Sequence, residues 1–393
     1  VPAFGGLGLT RTWISRLFII NYSFTMLIDV IAGARPNFIK IAPIIEALEA
    51  NAKNGSDLTF RLIHTGQHYD KNMSGSFFEQ LGIPEPSVNF SVGGGTQAEQ
   101  TGGIMVAYEK LLQEKKSDLC LVVGDVTSTM ACAITAKKMW VPVAHVEAGI
   151  RSGDITMPEE VNRIVTDSLT DYFFTTSETA NEALRASGIS DERIFFVGNT
   201  MIDTLLKQKP HFVAPPFWSD LGLVAGKYLV LTLHRPANVD EESKLRELIQ
   251  TIIDEASGFP IVFPVHPRTA KIFANAGIEA PNLHLVDPLP YLEFNYLVAH
   301  SFAVITDSGG ITEETTVQGI PCLTLRDNTE RPETVTMGSN ELVGTDPQKL
   351  PPIMKRLFAG EWKKSQVPPL WDGQTGKRIV EILGGLSAKA GQA

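Results

Sequence analysis

Apolar runs of strand length recur along nearly the whole chain, and the stretches between them carry helical spacing. From Met26 onward the runs fall at 27–32, 59–65, 119–124, 141–146, 171–175 and 194–197, with helical patterns such as Ile39 to Ala50 and Thr127 to Met139 between them. Such alternation predicts a parallel, doubly wound sheet. The pattern breaks over 207–226, where Pro210, Pro215 and Pro216 sit in an irregular stretch that reads as a linker. It restarts at Tyr228 to Leu233 and continues near 261–265, 282–286, 303–306 and 321–325. The fold expected is α/β: two Rossmann-like doubly wound domains, 26–206 and 227–372, with a central cleft and a last helix and tail over 373–393. Residues 1–25 hold a short apolar patch, Leu17 to Ile20, interrupted by Asn21 and Ser23. A membrane span needs about 18 apolar residues in a row. This segment therefore reads as an extension outside the fold, with a signal peptide as the second reading.

Composition narrows the partners. A length of 393 residues suits two domains, and 43% apolar with 20% charged residues is the balance of a globular protein. A formal net charge of −10 argues against nucleic acid or an anionic membrane as a general partner. An anionic ligand must then be met by local clusters of Arg, Lys and helix N-termini. Cys120, Cys132 and Cys322 have no metal-ligand spacing, are odd in number and lie in apolar stretches. Buried free thiols in a reducing compartment, the cytoplasm, are expected.

Chemistry concentrates where strands end, the edge at which open α/β sheets bind ligands. The run His145 to Arg163 ends a strand on Glu147, passes Arg151, and opens a helix with Pro158, Glu159 and Glu160. Acids in a first turn are ordinary dipole compensation. That does not explain Glu147, so several carboxylates and two arginines read as a proton-moving site beside an anion. Gly33 to Asn37 turns into a helix carrying Lys40, with Arg35 as a bidentate phosphate donor. Asp125, after the strand ending at Val123, reads equally as a helix N-cap or a functional acid. His234, beside Arg235, ends the first strand of the second half, and His266 repeats that placement one strand later. A lone His is more often structural, but this position favours function. Ser308, Gly309 and Gly310 open a helix with exposed N–H groups suited to a pyrophosphate. Glu314, one turn further, can take both hydroxyls of a ribose, while Glu313 reads as a solvated face.

Taken together, G-A-R-P-N-x-x-K, V-G-D-V-T-S-T, H-V-E-A-G-x-R, M-P-E-E-x-N-R, L-H-R, P-V-H-P, D-S-G-G-I-T-E-E and R-x-x-T-E-R-P-E occur in one order. The chain resembles the non-hydrolysing UDP-N-acetylglucosamine 2-epimerases from about Met26 to the helix at Thr375–Leu383. The resemblance implies the two-domain fold shared with GT-B glycosyltransferases, in which the last helix crosses back to the first domain. It implies Asp125, Glu147 and Glu159 as essential carboxylates beside Arg163, with Arg35 and Lys40 near the departing diphosphate. His234 comes from the second domain. UDP would be held by His266, Ser308, Gly309, Gly310, Glu314 and Arg331, with the uracil near Leu289 and Phe294. Where many members have H-R-x-E-N, this chain has Ala237 in place of the Glu.

The activity implied is interconversion of UDP-GlcNAc and UDP-ManNAc by elimination and re-addition of UDP through 2-acetamidoglucal, supplying surface polysaccharide precursors. No nicotinamide or metal is called for, because no net redox occurs, and a homodimer is expected. Four alternatives stand beside it. Hydrolysing 2-epimerases tend to carry G-D-R-x-E where this chain has Gly124-Asp-Val-Thr-Ser. Some related epimerases act on UDP-sugars altered at C3 or C6. A GT-B glycosyltransferase, or a nucleotide-sugar sensor, would not need acids at 125, 147 and 159 together.

Overall fold

The computed structural model describes residues 25–66, 78–239, 241–265, 270, 272–273 and 277–390. His266 and, apart from Thr25, the 1–25 extension lie outside the described residues.

The first half runs β1 (Met26–Ala32), α1 (Arg35–Lys53), β2 (Leu58–His64), β3 (Val88–Asn89), α2 (Gln97–Glu114), β4 (Leu119–Val123), α3 (Thr127–Lys138), β5 (Val143–Val146), α4 (Pro158–Leu169), β6 (Tyr172–Thr175), α5 (Glu178–Ala186), β7 (Ile194–Phe196) and α6 (Thr200–Gln208). Among the described residues its strands form one parallel sheet in the order β3-β2-β1-β4-β5-β6-β7. Successive side chains of a strand face opposite sides. Ile28 and Val30 accordingly pack with Phe38, Ile41 and Ile45 of α1, whereas Ile31 packs with Ile104 and Tyr108 of α2 and Cys132 of α3.

The second half runs β8 (Leu229–Thr232), α7 (Pro236–Val239), α8 (Glu242–Glu255), β9 (Ile261–Pro264), β10 (Leu283–Val286), α9 (Tyr291–Ala299), β11 (Ala303–Thr306), α10 (Gly309–Gln318), β12 (Cys322–Thr324), α11 (Pro332–Thr336), β13 (Asn340–Leu342) and α12 (Leu350–Phe358), before the terminal α13 (Thr375–Ala390). Its described strands are again parallel, in the order β10-β9-β8-β11-β12-β13. Each sheet reverses its winding once, between β1 and β4 and between β8 and β11. Those reversals open a crevice at the carboxyl ends of the strands.

The last helix returns to the first half. Ile379, Val380 and Leu383 of α13 join the core that holds α1. Gly376 allows the approach: a Cβ there would lie 2.4 Å from the Pro43 carbonyl oxygen. Its N–H donates to Asp203 Oδ2 on α6 at 2.8 Å. Within 207–226, α6 runs on to Gln208 and two short 3-10 turns follow, Lys209–His211 and Pro216–Trp218. Trp218 meets Tyr228 and Tyr296 edge-on, anchoring that stretch to the second half. The three cysteines are buried free thiols, and no described helix is long and apolar enough to cross a membrane.

Candidate active site

On the first half the site is assembled where β1, β4 and β5 end. Asn37, in the first turn of α1, accepts from the N–H groups of Gly33 and Ala34 and donates to the Val123 carbonyl at 3.1 Å. That clamp fixes the α1 N-terminus over the winding reversal. One turn on, Lys40 Nζ reaches Glu147 Oε2 at 2.7 Å. Gly124, at φ +68°, leaves room for this contact, because a Cβ would lie 3.1 Å from Lys40 Nζ. Glu147 is buried and adopts φ +69°, a left-handed conformation costly for a side chain of its size. Its Oε1 accepts no hydrogen bond from the described residues.

Asp125 is not the N-cap of α3. Val126 holds that position, and no side chain caps the helix. The carboxylate of Asp125 accepts instead from Arg163 Nε at 3.0 Å, and its carbonyl accepts from Asn162 Nδ2 at 2.8 Å. Burial pushes its acidity toward the neutral form, but the charges of Arg163, Lys40 and Arg331 outweigh this and hold it below the usual carboxylate range. The two acids that open α4 divide their work. Glu160 is buried and accepts from the N–H groups of Ser152 and Gly153 and from Arg163 at 2.7 Å. Glu159 is exposed and lines the cleft. The expected convergence of two arginines is corrected: Arg163 stands in the site, whereas Arg151 pairs with Asp167 at 2.6 Å. Asp167 also takes His145 Nδ1 at 2.7 Å, and His145 Nε2 lies 2.8 Å from the Gly124 carbonyl, so this group braces the floor.

The second half contributes an edge with an uncapped helix N-terminus. His234 follows β8 and faces Asp307, which follows β11. The helix α10 begins at Gly309 with Ser308 as N-cap and no side-chain cap, leaving its first N–H groups to bind a ligand. Gly310 keeps this turn close to the first half, since a Cβ would meet Met201 Cε at 3.2 Å. Glu314 is buried and accepts from the Tyr291 hydroxyl at 3.1 Å. Burial, with the neighbouring Glu313 adding to it, pushes its pKa up to about 7.

Glu313 is not a solvated residue. It is 1% exposed and accepts from Asn199 Nδ2 at 2.8 Å and from Arg331 Nε. Arg331 in turn donates from Nη2 to Glu147 Oε2 at 3.1 Å. The acids on either side of Arg331 offset its burial and raise its pKa, so it is a permanent cation. A continuous chain of charge, Lys40–Glu147–Arg331–Glu313, thereby joins the two halves, with Asn199 at its end.

A cleft of about 1010 Å³ lies between these two edges. Lys40, Asp125, Glu159, Arg163, His234, Ser308, Gly309, Gly310, Glu314, Arg331 and Phe294 all line it. Glu147 sits directly behind Lys40 and Arg331. Arg35 opens α1 beside the lining residue Pro36 and is exposed, and Leu289 packs in the apolar cluster that contains Phe294. A separate cavity of about 600 Å³ between α1, α6 and α13 contains none of the residues expected in the site, so the charged cleft is the candidate. Sequence reasoning missed Glu313, Tyr291 and Asp307 as parts of it.

The family model described as UDP-N-acetylglucosamine 2-epimerase matches residues 50–384 of this chain. The chain belongs to the UDP-N-acetylglucosamine 2-epimerase family. It is 40% identical over 370 residues to the UDP-N-acetylglucosamine 2-epimerase of Methanocaldococcus jannaschii, covering 91% of this chain and 99% of that one. It is also 37% identical to the UDP-2,3-diacetamido-2,3-dideoxy-D-glucuronate 2-epimerase of Pseudomonas aeruginosa, again covering 91% and 99%. The crystal structure of the M. jannaschii epimerase in complex with UDP-GlcNAc and UDP matches at a TM-score of 0.80 and 39% identity, covering 91% and 99%. These matches extend over both sheets, in accord with the expected GT-B-like arrangement.

Proposed function

We propose that this enzyme interconverts UDP-GlcNAc and UDP-ManNAc by eliminating and re-adding UDP. The observation that carries the reading is the cleft itself: carboxylates of one half face an uncapped helix N-terminus and a buried carboxylate of the other. The diphosphate would lie on the N–H groups that follow Ser308, and the ribose hydroxyls would meet Glu314. In the forward step the C2 proton passes to a protein base. The electrons of the C–H bond form the C1=C2 bond, and the C1–O bond breaks with its electrons leaving on UDP. In the return step a UDP oxygen re-forms the bond to C1 while C2 takes a proton on the opposite face.

Two faces require two proton-handling groups, for which Asp125 and Glu159 line the cleft. Glu147 serves from one layer behind, holding Lys40 and Arg331 toward the charge that develops on the leaving diphosphate. Arg35 and Arg163 add to that positive field, and His234 borders the cleft beside them.

Incubation with UDP-GlcNAc in D2O, followed by NMR of the products, tests the reading. UDP-ManNAc carrying deuterium at C2, formed without added nicotinamide or metal, is the expected result. Free ManNAc as sole product would move the enzyme to the hydrolysing class, and no turnover despite tight UDP binding would favour a transferase or a sensor. The likeness to the P. aeruginosa enzyme supports one second reading, a sugar modified at C3 and C6. Faster turnover of UDP-2,3-diacetamido-2,3-dideoxy-D-glucuronate in the same assay would establish it. We also read the enzyme as a cytoplasmic homodimer, with its buried free thiols in keeping with a reducing compartment. Light scattering at twice the 42.9 kDa chain mass supports the dimer, and the single-chain mass overturns it.

A further inference from the structure

Asp307 is not among the residues lining the cleft, yet it is fully buried at the winding reversal of the second sheet and gathers one loop around itself. It accepts from the N–H groups of His234 at 3.1 Å and Arg235 at 2.9 Å, and from Asn238 Nδ2 at 3.1 Å. Its other oxygen lies 2.7 Å from His234 Nδ1. The imidazole itself is 61% exposed and lines the cleft. The contact therefore does not serve to bury the ring. An ionised carboxylate has only acceptor sites, so Nδ1 must carry the proton in this pair. That leaves Nε2 as the ring atom offered to the cleft, next to the N-terminus of α10. The carboxylate is ionised at neutral pH: burial raises its pKa, but the hydrogen bonds and charge of the 234–238 loop hold it below the ordinary range.

We infer that Asp307 is a positioning residue for the reaction, fixing both the ring plane and the tautomer of His234 so that a bare Nε2 faces the substrate as a proton acceptor, with the carboxylate placed to hold the ring once it has taken that proton. The catalytic consequence rests on the epimerase reading, but the tautomer does not. Had Asp307 only capped the 234–238 turn through backbone N–H groups, its loss would lower stability and leave the ring's proton where it was. Asp307→Asn separates the two cases. The replacing amide keeps one oxygen for the backbone N–H groups, but its NH2 group can only donate toward Nδ1. The neutral ring must then move its proton to Nε2.

The experiment is 15N NMR of histidine-labelled full-length protein, with the His234 signals among the eight histidines assigned by their loss in His234→Gln. Wild type at pH 8 should show a protonated Nδ1 and a bare Nε2, and Asp307→Asn should reverse this. In the epimerase assay Asp307→Asn should lower kcat by about 10²- to 10³-fold. UDP affinity should change much less. In the His234→Gln background the same substitution should cost less than about threefold, because its route of action is gone.

A wild-type ring protonated at Nε2 would overturn the inference. So would an equal loss of kcat from Asp307→Asn with and without His234. Should Asp307→Asn fail to fold by circular dichroism, the wild-type tautomer alone decides. If no UDP-sugar is epimerised, the proposed function falls while the tautomer measurement still decides the geometry.

Discussion

The buried carboxylate of Glu314 makes UDP binding a proton-linked event. Its pKa stands at about 7, raised above the ordinary 4.5 chiefly by burial. A ribose that offers two hydroxyl donors needs the ionised form, because the protonated acid loses one of its acceptor sites. Below pH 7 binding must therefore expel a proton, and above pH 7 it need not. With a pKa of 7, roughly one molecule in eleven is ionised at pH 6 and ten in eleven at pH 8. Affinity should therefore rise about tenfold across that interval, or about 1.4 kcal/mol. UDP's own terminal phosphate titrates nearby, so the comparison is with Glu314→Gln, which keeps the ligand's titration and removes the protein's. Isothermal calorimetry at pH 6, 7 and 8, in buffers of different ionisation enthalpy, measures both affinity and protons released. An identical pH dependence in wild type and Glu314→Gln would refute the argument. The same shift acts on stability with a defined sign. A carboxyl whose folded pKa is raised stabilises the fold below its unfolded value near 4.5, and that contribution is lost as pH rises through about 7. Glu314→Gln should accordingly be more stable than wild type at pH 8 and closer to it at pH 5.

Two substitutions probe the first half. Glu147→Gln strips a buried anion from Lys40 and Arg331, so kcat should fall by about 10²- to 10³-fold. Stability should fall by roughly 3 kcal/mol, the low end for a broken buried pair because Arg331 keeps Glu313. Urea unfolding and steady-state kinetics measure the two, and a change below 1 kcal/mol with normal kcat would show that the charge chain is ornamental. Gly124→Ala places a methyl 3.1 Å from Lys40 Nζ and forces a left-handed conformation, costing about 1–2 kcal/mol. Its kcat should fall out of proportion to its melting temperature, whereas normal kcat in a destabilised variant would exclude Lys40 from the reaction.

The apolar runs made the architecture legible because strands buried on both faces are continuous in sequence. The ends of β1, β4 and β11 fall within a residue of the positions expected, since the runs stop where the chain turns into a helix. What periodicity failed to mark lacked an apolar run. β3 is only Val88–Asn89, and β13 is Asn340-Glu341-Leu342, held by pairing with β12 rather than by its own composition. Likewise the motifs marked Asp125, His234 and Ser308, which line the cleft, because each stands two residues after a strand.

Their partners were another matter. Glu159 and Glu160 are indistinguishable as a pair of acids in a first turn, and only the 152–153 loop decides which is consumed as structure. Glu313 reads as solvated from its own helix because nothing local signals that Asn199 and Arg331, 114 and 18 residues away, converge on it. A buried carboxylate without cations would be prohibitively costly. Lys40 offsets Glu147 from within the first half and Arg331 offsets Glu313 within the second, and Arg331 adds its charge to Glu147 only when the two halves are in contact. The proton chemistry of the first sheet is thus tied electrostatically to the seating of the second, a coupling that exists only in the assembled cleft.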